Sequence, residues 1–266
     1  MEHFAPFPGA ADLRGRPLVL GHRGASADAP ENTLAAFRLA MLQGADGVEL
    51  DVWRCATGEV VVIHDEDARR TAGAPLQISA APLAELRALD AGAWKGAAFA
   101  GERIPLLAEV LEALPAAVVN VELKSRGRDP GLAAAVATII REARAERRVV
   151  VSSFDYRLVA AFRSAAPELP VGLLFEGGHP WRLRTALATA RLRPASLHPD
   201  RALVTPRRAA RWRVRGLAVA AWTVDDPAEV ARLARAGVTA LITNAPGRTR
   251  ALLEALTRSS SGGTPG

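Results

Sequence analysis

Residues 47–52 read Gly47-Val48-Glu49-Leu50-Asp51-Val52, acidic and apolar side chains in strict alternation. A period of two is the mark of a strand. Side chains two apart on a strand share a face, so Glu49 and Asp51 project together and Val48, Leu50 and Val52 project to the other side. Val121-Glu122-Leu123-Lys124 repeats the arrangement further along the chain. On both strands the apolar set is expected to pack beneath helices and the charged set to face inward.

Outward from this stretch, short β-branched runs alternate with Ala-, Leu- and Arg-rich helical stretches. The predicted strands are 18–21, 47–52 with 60–63, 118–123, 149–152, 171–174, 195–197, 217–221 and 240–243. The predicted helices are 33–43, 106–114, 132–145, 156–165, 181–190, 207–214, 227–236 and 248–256. Alternation of this length predicts an α/β fold, a (β/α)8 TIM barrel. A doubly wound open sheet fits less well, because no Gly-rich phosphate fingerprint follows the first strand. Ala56-Thr57-Gly58 predicts a hairpin after the second strand. The long connection after it reads as a small insertion, 66–105. Residues 1–17 read as an N-terminal extension, 18–257 as the barrel and 258–266, rich in Ser, Gly and Pro, as a disordered tail.

The chain has 266 residues, 49% of them hydrophobic and 23% charged, which excludes disordered and fibrous classes. Its net charge of +6 is carried by arginine, since Lys95 and Lys124 are the only lysines. The basic character is local: window 182–215 holds ten arginines and one acid, Asp200. Arginines interleaved with Leu, Ala, Val and Trp read as a solvated helical face. Weak attraction to anionic membranes and nucleic-acid binding are the alternatives, and no nucleic-acid motif accompanies the window. The single Cys55 excludes an internal disulfide or a multi-cysteine zinc site and favours a reducing compartment. With neither an apolar run of spanning length nor a signal peptide read from the sequence, the expected location is cytoplasmic, without stable membrane insertion.

Barrel enzymes carry their chemistry at the C-terminal ends of the strands, and polar residues gather there. The first strand ends in Gly21-His22-Arg23-Gly24 and the hairpin in His64-Asp65. Three inward carboxylates, Glu49, Asp51 and Glu122, repel one another unless a cation sits among them. Oxygen ligands suit one hard divalent ion, Mg2+ or Ca2+. His22 and His64 suit general acid and base work near neutral pH. Arg23 and Lys124 offer positive charge to an anionic substrate. A salt bridge to a nearby acid is the plainer role for Arg23.

These residues are recognisable together. His22-Arg23-Gly24-Ala25-Ser26, Pro30-Glu31-Asn32-Thr33 and Ala36-Phe37 resemble the opening of glycerophosphodiester phosphodiesterases. So do Glu49-Leu50-Asp51-Val52, His64-Asp65, Arg70-Thr71, Arg103-Ile104-Pro105-Leu106 and Val121-Glu122-Leu123-Lys124. Ser152-Ser153-Phe154, Trp222-Thr223-Val224 and Thr243-Asn244-Ala245-Pro246 follow in family order. Ala68 and Ala72 depart from the usual pattern at loop positions. The resemblance implies a metal-dependent TIM barrel that hydrolyses glycerophosphodiesters to sn-glycerol 3-phosphate and an alcohol. It implies Glu49, Asp51 and Glu122 as metal ligands, His22 and His64 as the acid/base pair, and Arg23 and Lys124 on the phosphate. Trp222, Phe154 and His198, each after a predicted strand, are candidate substrate-binding residues at the mouth, with core packing the alternative for Trp222 and Phe154. Glu31 and Asn32 are expected to cap the first helix or support the site, and His3 and His179 read as loop residues. The expected partner is a small glycerophosphodiester, not nucleic acid, and a homodimer stays open. A lysophospholipase D-type reaction would share the same residues; Leu76, Ile78, Trp94 and Phe99 of the insertion are candidates for the apolar surface it needs.

Overall fold

The computed structural model describes residue 7 and residues 16–125, 129–178 and 181–261. Its strands are β1 (Leu18–His22), β2 (Gly47–Arg54), β3 (Val60–Val62), β4 (Val118–Leu123), β5 (Val149–Ser153), β6 (Val171–Phe175), β7 (Ser196–Pro199), β8 (Ala218–Ala221) and β9 (Ala240–Thr243). All except β3 are parallel, and β1 pairs with both β2 and β9, so eight strands close into a ring. This is the (β/α)8 barrel that the alternation predicts. Strand β3 folds back on β2 as the expected hairpin, Val52 opposite Val62.

Helices α1 (Leu34–Leu42), α4 (Leu107–Ala113), α5 (Pro130–Glu142), α6 (Tyr156–Ala165), α7 (Trp181–Leu192), α8 (Pro206–Val214), α9 (Pro227–Ala236) and α10 (Pro246–Ser261) follow the barrel strands, α2 (Arg69–Ala72) and α3 (Leu83–Ala88) lying between β3 and α4. Their starts are chemically set. Thr33 caps α1, Thr205 caps α8 ahead of Pro206, and Asp226 caps α9 ahead of Pro227.

Alternation along each strand sorts the core. Val48, Leu50, Val52, Val121 and Leu123 lie in one buried cluster with α1, α4 and α5 side chains. Leu18, Leu20, Val150, Ala220 and Ile242 form another, joined by Phe7 from the N-terminal extension. The insertion has its own cluster, in which Ile78, Leu86 and Ile104 meet Trp53 of β2 and Ile63. Ile78 is therefore core, and of the insertion's four apolar candidates only Trp94 is exposed.

The end of the chain differs from the sequence reading. Helix α10 runs to Ser261, taking in the first residues of the expected tail. The remainder of that tail, and the candidates His3 and His179, lie outside the described residues.

Gly24 fixes the loop between β1 and α1. Its φ is +87°, and a Cβ there would stand 2.6–2.8 Å from Ala36 atoms. Gly58, at φ +105°, has open space around it. Gly24→Ala is expected to cost roughly 1–3 kcal/mol more than Gly58→Ala, the overpacking added to a shared backbone strain. Thermal denaturation checks this; equal melting temperatures would contradict it.

Candidate active site

The three acids meet as their spacing requires. Asp51 and Glu122 are register partners across β2 and β4, and Glu49 is partnered with Asn120 one step below. All three carboxylates are buried, and one oxygen from each lies within 4.8 Å of the others. Lys124 Nζ lies 2.6 Å from Glu122 Oε1 and 3.1 Å from Asp51 Oδ1. Arg23 Nε lies 3.3 Å from Asp51 Oδ2, while Asn32 Nδ2 donates to the same oxygen at 2.9 Å.

Burial divides their proton affinities. Burial, with Asp51 and Glu122 close by, holds the Glu49 carboxyl well above the ordinary range. The Glu122 carboxyl is pushed up to about 7 by burial, against the pull of Lys124. Burial opposes ionisation of Asp51 too, but Lys124 and Arg23 win, and its carboxyl sits far below the usual range. Burial would also discharge Lys124, yet Asp51 and Glu122 hold its ammonium protonated.

Both histidines present the same nitrogen to the mouth. His22 Nδ1 donates to Asn244 Oδ1 at 2.7 Å, an oxygen that also accepts from Ser26 Oγ. That leaves Nε2 unprotonated, 3.9 Å from Glu49 Oε2. His64 Nδ1 donates to Asp65 Oδ1 at 2.7 Å, and Asp65 Oδ2 accepts from Arg70 Nε at 2.6 Å. Burial lowers the affinity of both imidazoles for a second proton, Arg23 adding to the effect at His22. Both are therefore neutral near pH 7, with a free Nε2 lone pair.

Glu31 ties the loops together, accepting from Arg23 Nη1 and from both Arg70 Nη atoms. The β1–α1 loop is bent sharply here, with Arg23 at φ +56° and Asn32 at φ +57°. Glu31 and Asn32 thus serve the site; Thr33 makes the helix cap.

A cavity of about 120 Å³ is lined by His22, Arg23, Glu49, His64, Glu122, Lys124, Phe154 and Trp222, with Asn120, Leu174, Thr223 and Ile242 completing it. Asp51 is absent from this lining but pairs with two residues of it, Arg23 and Lys124. Phe154 and Trp222 pack edge to face, centroids 5.4 Å apart, as one wall.

His198 is the correction. It is fully buried and absent from the lining. Strand β7 continues to Pro199, so His198 shares the inward face with Ser196, whose hydroxyl lies 2.8 Å from its Nε2. A Cβ on Gly172 would stand 2.5 Å from that ring. Burial pulls its pKa down to about 3, and its carbonyl accepts from Trp222 Nε1 at 2.8 Å. Its place is beneath the wall, which it steadies.

Sequence reasoning missed Asn120, Asp225 and the role of Asn244. Asn120 is two residues before Glu122, so the same period of two pointed to it. Its Oδ1 accepts from Ser152 Oγ at 3.0 Å, which fixes the amide, while its buried Nδ2 has no partner. Asp225 accepts from Asn244 Nδ2 and so sets the orientation in which Asn244 faces His22.

The donor set fits a hard divalent ion: three carboxylates and no competing soft ligand. Across the wider cluster five carboxylates, Glu31, Glu49, Asp51, Asp65 and Glu122, stand against three cations, Arg23, Arg70 and Lys124. Charge balance leaves room for a dication.

Comparison with known proteins shows what this chain is similar to. The model of the glycerophosphoryl diester phosphodiesterase family matches residues 22–248. The glycerophosphodiester phosphodiesterase of Caldanaerobacter subterraneus subsp. tengcongensis is 39% identical over 236 residues, 87% of this chain and 95% of that one. A phosphodiesterase of Oleispira antarctica, solved with its product sn-glycerol-3-phosphate, matches with TM-score 0.84 and 30% identity over 92% of this chain and 99% of that one. The glycerophosphodiester phosphodiesterase of Agrobacterium tumefaciens gives TM-score 0.78 and 31% identity, covering 88% and 99%.

Because Glu122 must lose its proton to ligate, calorimetric affinity for Mg2+ or Ca2+ is expected to rise as pH rises through about 7. Asp51→Asn should weaken it at least about 100-fold. A pH-independent affinity would contradict the assignment. His198→Ala is expected to lower the melting temperature while leaving turnover far less impaired than His22→Ala does.

Proposed function

The chain belongs to the glycerophosphoryl diester phosphodiesterase family, and from that membership we propose that it hydrolyses glycerophosphodiesters to sn-glycerol 3-phosphate and an alcohol, with His22 and His64 dividing the proton transfers. The observation that carries this reading is two imidazoles, each anchored through Nδ1, beside a carboxylate triad around one small cavity.

Glu49, Asp51 and Glu122 would hold one divalent ion, Mg2+ or Ca2+, which when bound supplies Lewis-acid stabilisation of charge on the phosphate oxygens. Arg23 and Lys124 line the cavity and offer their charge to the phosphodiester. One histidine accepts the proton of the glycerol 2-hydroxyl through Nε2 as that oxygen attacks phosphorus. The other protonates the departing alcohol oxygen as its bond to phosphorus breaks. Water then opens the cyclic phosphate with the two roles exchanged. Asp65 stabilises His64 whenever its ring is cationic, as Asn244 does for His22 through Oδ1. The unpartnered Asn120 amide is left as a donor to a substrate oxygen, and the apolar Leu174 and Ile242 line the cavity beside it. Phe154 and Trp222 form the wall against the glycerol carbons.

A lysophospholipase D-type reaction is the second reading, and one observation favours it. Phe154 lines both this cavity and a groove of about 850 Å³ between α6 and α7, continuing an apolar surface away from the mouth. The lone Cys55 supports a cytoplasmic location.

A coupled glycerol 3-phosphate assay over a panel of glycerophosphodiesters and lysophospholipids tests both readings. Product should form only with Mg2+ or Ca2+ and vanish with EDTA. His22→Ala and His64→Ala should each lower kcat by at least about 1,000-fold. Near wild-type turnover in either would overturn the assignment. Asn120→Ala should lower kcat/KM by about 10–100-fold, the worth of a hydrogen bond to a charged oxygen.

A further inference from the structure

The arginine window plays no part in the chemistry above. Several arginines elsewhere on the surface are paired: Arg16 with Asp46, Arg54 with Asp129, Arg141 with Glu168, Arg232 with Glu229. Around α8 arginines without such a partner are concentrated. Among the described residues Arg207, Arg211, Arg213 and Arg215 are exposed and no carboxylate stands within ion-pair reach of them. Asp200, the window's one acid, spends Oδ1 on the backbone N–H of Ala202.

Arg208, Arg211 and Arg215 fall at i, i+3 and i+7, one face of α8. They rim a groove of about 650 Å³ against α7, floored by Leu197, Trp212 and Leu217. Apolar side chains are exposed beside this groove: Val214 of α8 is 89% exposed, and Leu187 of α7, which lines the neighbouring groove on the α6 side, is 62% exposed. The guanidinium groups of Arg207, Arg211, Arg213 and Arg215, with no carboxylate beside them, and the exposed aliphatic side chains nearby call for a partner that is both anionic and apolar.

We infer that the α7–α8 face docks on an anionic phospholipid bilayer. Guanidinium groups meet the lipid phosphates in bidentate fashion. Leu187 and Val214 enter the acyl boundary, as the apolar face of an interfacial helix does. Docking is peripheral, since no helix among the described residues is long and apolar enough to cross a membrane. A nucleic acid would match the charge but leave the two aliphatic side chains unused. Among the described residues it would also find no stacking platform on this face, because Trp212 is half-buried with its ring edge-on to Phe175.

Cosedimentation with vesicles tests the inference on the whole chain, independently of the hydrolase reading. The protein should pellet with phosphatidylcholine vesicles that contain phosphatidylglycerol, not with phosphatidylcholine alone, and less so as salt rises. R211E/R215E should lower the partition coefficient at least about tenfold, and L187N/V214N by a smaller factor, with melting temperatures unchanged. R211Q/R215Q, a milder change, should give an intermediate loss. Failure of the wild-type protein to pellet with anionic vesicles at low salt would overturn the inference. So would undiminished binding by the glutamate and glutamine variants. Tighter retention of duplex DNA, abolished by R211E/R215E and indifferent to L187N/V214N, would reassign the face to nucleic acid.

Discussion

Repulsion among three buried carboxylates is the constraint that the surroundings of this site answer. Glu49, Asp51 and Glu122 stand on two adjacent parallel strands, and the geometry of the sheet, not any flexible loop, brings them together. Strands that close a barrel have fixed neighbours, so the acids cannot separate without opening the ring. Charges buried this deeply need partners. Lys124 follows the end of β4, two residues after Glu122, and Arg23 follows the end of β1. Asp51, with both cations close, remains ionised, whereas Glu49 and Glu122 are driven toward the neutral form. A dication among the three would reverse that tendency, and this links metal binding to proton release.

The loop after β1 takes on strain to deliver Arg23. Two non-glycine residues there hold left-handed backbone conformations, each costing on the order of 1–3 kcal/mol. Backbone hydrogen bonds hold them in place: Arg23 N–H donates to the Glu49 carbonyl at 2.9 Å, and Asn32 N–H to the Arg23 carbonyl at 3.0 Å. Gly24 lets this turn lie flat against α1, where no side chain fits. Strain, acid cluster and histidine thus belong to one connected network running from Asn244 through His22 and Arg23 to Glu31 and Arg70.

Much of this was legible in the sequence, for reasons that differ by residue. Glu49, Asp51 and Glu122 announce themselves because a strand's period of two converts spacing directly into direction. His22, Arg23 and His64 follow because barrel strands end at the mouth. Asn120 obeyed the same period but carries no charge to draw notice. His198 failed because its direction depends on how far β7 extends, and on Gly172, a residue on another strand that makes room for the ring. Glu31 was read between two roles, and only contact with Arg23 and Arg70 decides between them. In the insertion, Ile78 could not be placed because its burial is set by Trp53 and Ile63, which the hairpin brings to it.

The chain's net charge misdirects a first reading: its arginine excess lies away from the acidic cluster on which the proposed chemistry rests. The central claim is that those acids share one divalent ion, and crystals grown with Mn2+ test it most directly by anomalous diffraction. One peak is expected within about 2.0–2.6 Å of an oxygen from each of Glu49, Asp51 and Glu122. A map with no peak among them, Lys124 still ion-paired with both Asp51 and Glu122, would contradict the account.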